Sequence, residues 1–237
     1  MYTAQAPARP VHRQFPSGPP LAGLAITTTA LFLAGLIAST AMAGKAFPSP
    51  FDPGASILAY FRGHQDAVKV SAFFQFGAAV PLAIYAATAS SRLRTLGIRV
   101  PGATIALVGG ALAATFLSIS GLVTWTLAQP AALASPPLVR GLHDLAFATG
   151  GPGSVVPFGL LIAGLAVPAA FGALLPRWVA ATGLILALAA EFSALSLLAD
   201  SAAYLLPAAR FAGLAWLIAA GVLLPKTRPA ATRPGPA

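Results

Sequence analysis

The stretch that decides the fold is Leu21–Ala43, LAGLAITTTALFLAGLIASTAMA, which contains no charged residue. It is long enough to cross a bilayer core of about 30 Å, which takes about 20 residues in a helix. Five further apolar runs of similar character follow along the chain. The six predicted spans cover about residues 21–43, 70–90, 103–128, 154–175, 178–198 and 207–224. The fold class is therefore an all-α, polytopic transmembrane bundle.

The composition leaves room for little besides this bundle. Of the 237 residues, 57% are hydrophobic and only 8% are charged, whereas about 25% of the residues in a soluble domain are charged. We expect a single membrane domain over residues 21–224 between proline-rich, basic tails. Residues 1–20 and 225–237 have the composition of disordered cytoplasmic tails.

The net charge of +9 is distributed unevenly, and this predicts the orientation. If the N-terminus is cytoplasmic, nine basic residues lie inside: Arg9, Arg13, Arg92, Arg94, Arg99, Arg177, Lys226, Arg228 and Arg233. Five lie outside or in outer helix ends: Lys45, Arg62, Lys69, Arg140 and Arg210. The positive-inside rule then favours a multi-pass protein of the cell membrane with both termini inside. The basic rim predicts contact with anionic lipid head groups. No nucleic-acid partner is expected, since no soluble fold presents these arginines.

The N-terminal span has one alternative interpretation. Arg9 and Arg13 precede the apolar run, and Ala41-Met42-Ala43 forms a possible signal-peptidase site. The apolar run is longer than the 7–15 residues of a usual signal-peptide core. We therefore favour an uncleaved first span.

The first external loop, residues 44–69, divides into two parts. Three prolines keep the first part from being helical. The second part, residues 55–69, carries Ile57, Leu58, Phe61 and Val68 at helical spacing. This pattern favours an amphipathic helix lying at the membrane interface, with Tyr60 and Phe61 at head-group level. The alternative is an external lid over a binding site.

The fourth apolar region is interrupted by Gly150-Gly151-Pro152-Gly153. Glycine and proline together predict a helix break, which leaves residues 138–149 as a short outer helix or a re-entrant piece before the full crossing. Two interpretations stay open. A turn at the head-group level is favoured over a break at membrane depth, which would have to be buried in protein or face a water-filled cavity.

Polar residues within the spans are the best indication of a site, since each needs compensation in lipid. Glu191 and Arg210 lie at similar depths in adjacent antiparallel helices, which predicts an ion pair. Gln75, His143 and Asp144 are placed in the same outer half of the membrane. The candidate binding residues are therefore Gln75, His143, Asp144, Glu191 and Arg210. The alternative is that these side chains only hold helices together.

No residue set indicates catalysis. Ser118-Ile119-Ser120-Gly121 resembles the serine motif of rhomboid proteases, but it lacks the first glycine and has no base in the same span. The three histidines are scattered, and cysteine is absent, so no metal site or cofactor is expected. The sequence favours a protein that is not an enzyme.

Several runs resemble a group of uncharacterised bacterial six-helix integral membrane proteins. The similarity covers most of residues 60–226. It is carried by Phe74–Leu82, Ser91–Arg94, Ala146–Gly153 and Leu205-Leu206-Pro207 ahead of Arg210. The resemblance implies a bundle of the kind already predicted, and it implies no activity.

Two functions are consistent with these features. The first is a small permease- or transporter-like protein with a polar site in the outer half of the bundle, binding a small molecule of unknown identity. The second is a non-transporting membrane sensor or partner-binding protein whose buried polar residues are structural. A homo-oligomer is compatible with both.

Overall fold

The computed structural model describes residues 18–226, and helices dominate this part of the chain. The predicted tails at residues 1–17 and 227–237 lie outside the described residues. The α-helices are α1 Leu21–Ala43, α2 Gly54–Gly63, α3 Gln65–Thr95, α4 Gly102–Leu127, α5 Pro130–Leu133, α6 Pro136–Gly150, α7 Pro152–Phe171, α8 Arg177–Phe192 and α9 Leu205–Leu223. Two short 3-10 helices, Ser193–Leu197 and Asp200–Tyr204, connect α8 to α9.

Six helical segments are long and apolar enough to cross a membrane, which confirms the predicted number of spans. They are α1, α3, α4, the α6–α7 pair, α8 with the following 3-10 helix, and α9 with the 3-10 helix that precedes it. Helix α3 begins earlier than the sequence-based bounds, at Gln65 rather than near Val70. Its first turns are covered by protein, with Ala67 and Val68 buried, so hydropathy alone places its start too late.

The spans alternate in direction, and both ends of the described chain therefore lie at one end of the bundle. The opposite end carries α2, α5 and the 3-10 helices, together with the end of α1 and the start of α9. We call it the α2 end.

Helix α4 lies at the centre of the bundle, between α3 and α7, because small residues allow close approach. A Cβ atom on Gly109 would lie 2.6 Å from the backbone nitrogen of Leu161, and one on Gly164 would lie 2.4 Å from that of Ala106. On its other side, a Cβ on Gly110 would meet the Cβ of Ala86 at 2.3 Å. Small residues serve the same purpose in many membrane helix pairs.

The prediction that this helix lies at the membrane interface is wrong about what covers its apolar face. Helix α2 does form, but its apolar face packs on protein rather than facing lipid. Ile57, Tyr60 and Phe61 are buried in a cluster with Leu127 and Val139, contributed by α4 and α6. Periodicity predicts an apolar face, but the sequence does not say whether lipid or protein covers it.

The break in the fourth span is buried, which contradicts the favoured surface turn. Helix α6 ends at Gly150 and α7 begins at Pro152, with Gly151 at φ −80° and ψ −109° between them. Gly150 packs against Ser120, where an added Cβ would lie 2.3 Å from the serine Oγ. Ser120 lies seven residues before the end of α4, so the break is about 10 Å inside the bundle.

Candidate functional site

A cavity of about 320 Å³ lies inside the α2 end, directly beside this helix break. Its walls come mainly from α1, the α1–α2 loop, α3, α4, α6 and the first turns of α9. The lining side chains of α3, α4 and α6 are mostly polar or small, and they include Ser71, Gln75, Ser120, Thr124 and His143. The lining side chains of α1, α9 and the α1–α2 loop are mostly apolar, and they include Phe32, Leu36, Phe47, Pro48, Leu206 and Phe211.

A hydrogen-bonded chain forms the polar wall. The Nε2 amide of Gln75 donates to the Oγ of Ser120 at 2.9 Å. The Ser120 hydroxyl in turn donates to the carbonyl of Ala146 at 2.8 Å. Ala146 lies in the last turns of α6. The chain therefore links α3, α4 and α6 and fixes the orientation of the Gln75 amide at the cavity.

Arg210 lies beside the cavity in α9 and contacts the helix break. Its Nη2 donates to the carbonyl of Gly150 and, at 3.2 Å, to the Oγ of Ser154. The Ser154 hydroxyl also donates to the Gly150 carbonyl, at 2.6 Å. This carbonyl has no backbone donor in the described residues, because the amide of Ser154 bonds to Gly151 instead. Arg210 thus helps to cap the broken end of α6, where a cation is favourable.

The guanidinium of Arg210 keeps hydrogen-bonding capacity toward the cavity. An arginine has five N–H donors, but the Nε and Nη1 groups of Arg210 form no hydrogen bond with the described residues. Its Cζ lies 5.2 Å from the centre of the Phe32 ring, which covers one face of the guanidinium. Three N–H donors of a positively charged group, one on Nε and two on Nη1, are therefore available to a further acceptor.

No side-chain carboxylate of this chain neutralises Arg210. The five acidic residues are Asp52, Asp66, Asp144, Glu191 and Asp200, and all belong to the described region. Within that region the ion pairs join Lys69 to Asp66 and Arg140 to Asp144. A cation within membrane-spanning helices normally has a partner. For Arg210 the protein supplies only a carbonyl and a hydroxyl.

The predicted Glu191–Arg210 ion pair is therefore wrong. Glu191 lies in the last turn of α8 and is exposed. Its Oε1 is directed along α7, 3.5 Å from the position of a Cβ on Gly159. Depth along a helix can be read from the sequence, but the rotation of the helix about its axis decides which way a side chain points. Glu191 and Arg210 lie at similar depths, but the rotation of their helices directs the two side chains to different places.

His143 lines the cavity from α6 and is only 2% exposed. Its Nδ1 has no hydrogen-bond partner in the described residues. The ring lies against Phe61 and Phe47, with centroid distances of 5.4 and 6.0 Å. Such a buried polar atom is costly unless a ligand or water pairs with it.

The α1–α2 loop covers the cavity and is fastened to α6. Arg140 donates from Nη2 to the carbonyl of Pro50 at 2.7 Å and from Nη1 to that of Asp52 at 3.2 Å. Its Nε also pairs with Asp144 at 3.0 Å. Asp144, predicted as a binding residue, does not line the cavity and instead holds Arg140 in position. The loop thus takes the place of the predicted external lid, ahead of α2.

A second, much smaller void lies on the far side of Arg210 from the α2 end. It measures about 30 Å³ and is lined by Thr28, Phe32, Leu117, Phe158 and Leu214, among others. Arg210 and Phe32 line both spaces. These two side chains therefore separate the cavity from the apolar half of the bundle.

Of the five predicted site residues, the structure brings Gln75, His143 and Arg210 to one cavity and places Asp144 and Glu191 elsewhere. Phe32 and Ser120 lie next to them, but the sequence did not single out Phe32, and Ser120 stood out only in the run that resembles a protease serine motif. No pattern in the sequence places Ser120 of α4 beside the helix break between α6 and α7. Comparison with known proteins finds no family model, no curated protein and no solved structure that matches this chain.

Proposed function

We propose that this protein is a small permease-like membrane protein that binds an anionic small molecule in the cavity at the α2 end. The observation that carries this proposal is the guanidinium of Arg210, which faces the cavity without a carboxylate partner in the described residues. An anion on Nε and Nη1 would provide the missing charge compensation, since arginine binds carboxylates and phosphates through paired donors. His143 and Gln75 add polar contacts at the same wall.

The broken helix supports a role in transport rather than simple packing. Many transporters bind their substrates beside discontinuous helices, where backbone groups leave the helical pattern. Here the break between α6 and α7 lies about 10 Å inside the bundle and contacts Arg210 directly. The narrow separation between the two voids offers a place for a gate, at Arg210 and Phe32.

We place the α2 end on the external side of the cell membrane, with both termini cytoplasmic. The basic residues Arg94, Arg99 and Arg177 then lie at the cytoplasmic end, as the positive-inside rule requires. They would contact anionic lipid head groups there. In this orientation the anion site lies in the external half of the bundle.

A second function is supported by the bond from Arg210 to the Gly150 carbonyl. If Arg210 only caps α6, the protein is a non-transporting sensor or partner-binding protein with a rigid bundle. The two functions differ in whether the small void beyond Arg210 ever becomes accessible to water.

The test uses cysteine replacements, because the chain has no native cysteine. Thr28→Cys places a thiol at the small void, and Ser39→Cys places one at the large cavity. A carrier must open toward the cytoplasm, so a water-soluble maleimide should label Thr28→Cys in inside-out vesicles. In right-side-out vesicles the same reagent should label Ser39→Cys and leave Thr28→Cys unlabelled. If Thr28→Cys stays unreactive from both sides while Ser39→Cys reacts, the permease proposal fails and the rigid alternative stands.

A further inference from the structure

We infer that the anion bound at Arg210 is the head of a single-chain amphiphile, such as a long-chain carboxylate, which enters from the bilayer between α1 and α9. This inference rests on the proposed anion site and specifies the class of its ligand. It is carried by the shape of the gap between the two helices and by the chemistry of the two cavity walls.

Helices α1 and α9 pack closely at one end, and toward the α2 end both line the cavity. A Cβ on Gly221 would lie 2.7 Å from the backbone nitrogen of Ala22, which shows how close the helices are there. Further along, Phe32 and Phe211 meet edge to face with their ring centres 6.1 Å apart. Beyond this pair, the lining residues Leu36 and Pro207 face the cavity between the two helices.

The edge of this gap lies at membrane depth. Leu36 and Phe211 line the cavity, and they are 43% and 40% exposed. Leu36 is seven residues from the end of α1 and Phe211 six residues from the start of α9, which is about 10 Å along each helix. A molecule passing between them would come from the hydrocarbon region rather than from water.

The two walls of the cavity suit the two ends of an amphiphile. The polar wall and Arg210 would hold an anionic head, whereas Phe32, Leu36 and Phe211 offer apolar contact at the gap. The volume of about 320 Å³ is near the lower limit of small-molecule sites, about 300–1,000 Å³. It accommodates a head group with the first part of one chain, and the rest of the chain would extend through the gap into lipid.

The experiment uses the full-length protein in lipid nanodiscs and a dodecanoate probe with a photoreactive diazirine on its chain. We expect crosslinks on α1 and α9 around the gap, and at least about tenfold weaker competition by butyrate than by dodecanoate, since two buried methylene groups suffice for that ratio. Dodecyltrimethylammonium, which reverses the head charge, should not compete. Inorganic phosphate should compete poorly, because it lacks the chain. Arg210→Gln should remove most of the crosslinking.

A matched pair of variants tests the route. Leu36→Trp fills the edge of the gap, whereas Ile37→Trp places the same side chain on the neighbouring position, which is 65% exposed and does not line the cavity. Crosslinking should fall severalfold in the first variant and stay unchanged in the second. Equal effects of the two variants, or crosslinks spread evenly over the lipid-facing helices, would overturn the inference.

The competition experiments distinguish a failure of this inference from a failure of the proposed function. If butyrate or phosphate competes as well as dodecanoate and Arg210→Gln still abolishes binding, the site takes a soluble anion and only the amphiphile inference is wrong. If Arg210→Gln leaves crosslinking unchanged and the ammonium amphiphile competes equally, no anion site exists and both proposals fail.

Discussion

Replacing Arg210 by methionine should lower the free energy of unfolding by about 1.5–3 kcal/mol, the usual value of a hydrogen bond made by a charged group. The Gly150 carbonyl would still accept the Ser154 hydroxyl in this variant. Ser154→Ala alone leaves the guanidinium in place. The double variant leaves the buried carbonyl without a side-chain donor, so we expect a loss larger than the sum of the single losses by about 1–3 kcal/mol. Thermal or steric-trap unfolding in detergent or bicelles measures all three.

The control is a double-mutant cycle that combines Arg210→Met with Glu191→Gln and measures the free energy of unfolding of each variant. Because the two side chains do not pair, their effects should add to within about 0.5 kcal/mol. A large coupling between Glu191 and Arg210, with none between Arg210 and Ser154, would show that the side chains pair differently from the arrangement described here.

Adding one methyl group at Gly164 should destabilise the bundle by about 1–3 kcal/mol, the usual cost of overpacking. In Gly164→Ala the new Cβ would lie 2.4 Å from the backbone nitrogen of Ala106 and 2.7 Å from the carbonyl oxygen of Gly102. Both neighbours are backbone atoms, so α4 and α7 must move apart. Thermal unfolding followed by size-exclusion chromatography reports the change.

Gly141→Ala is the control, because nothing lies within 4 Å of a Cβ at this position in α6. It should leave stability unchanged or raise it by up to about 1 kcal/mol, since alanine favours a helix over glycine. Equal losses in the two variants would mean that close packing of α4 on α7 does not hold the bundle together.

The six spans could be predicted because lipid requires long apolar helices, and length and composition suffice to recognise them. The short α6 and its break could also be predicted, since glycine and proline act locally. The burial of the break could not, because it depends on Ser120 and Arg210 from distant spans. The same limit explains α2, whose apolar face is recognisable while its protein neighbours are not.

The candidate site could also be predicted only in part. Gln75, His143 and Arg210 were predicted from their depth in the membrane, and they do line one cavity. Glu191 matches them in depth, but α8 turns it away from the cavity. Asp144 is adjacent to His143 in the chain, yet a helix rotates successive residues by about 100°, and its carboxylate pairs with Arg140 instead.

The central claim is that Arg210 makes the cavity attractive to anions, and the most direct measurement is the labelling rate of Ser39→Cys by oppositely charged reagents. Ser39 is buried and lines the cavity. We predict that an anionic methanethiosulfonate reacts faster than a cationic one of similar size, and that Arg210→Gln removes this preference. Ser56→Cys, exposed on α2, should show no change in its ratio on the same replacement. A cationic preference at Ser39→Cys, or a ratio that Arg210→Gln leaves unchanged, would contradict the account.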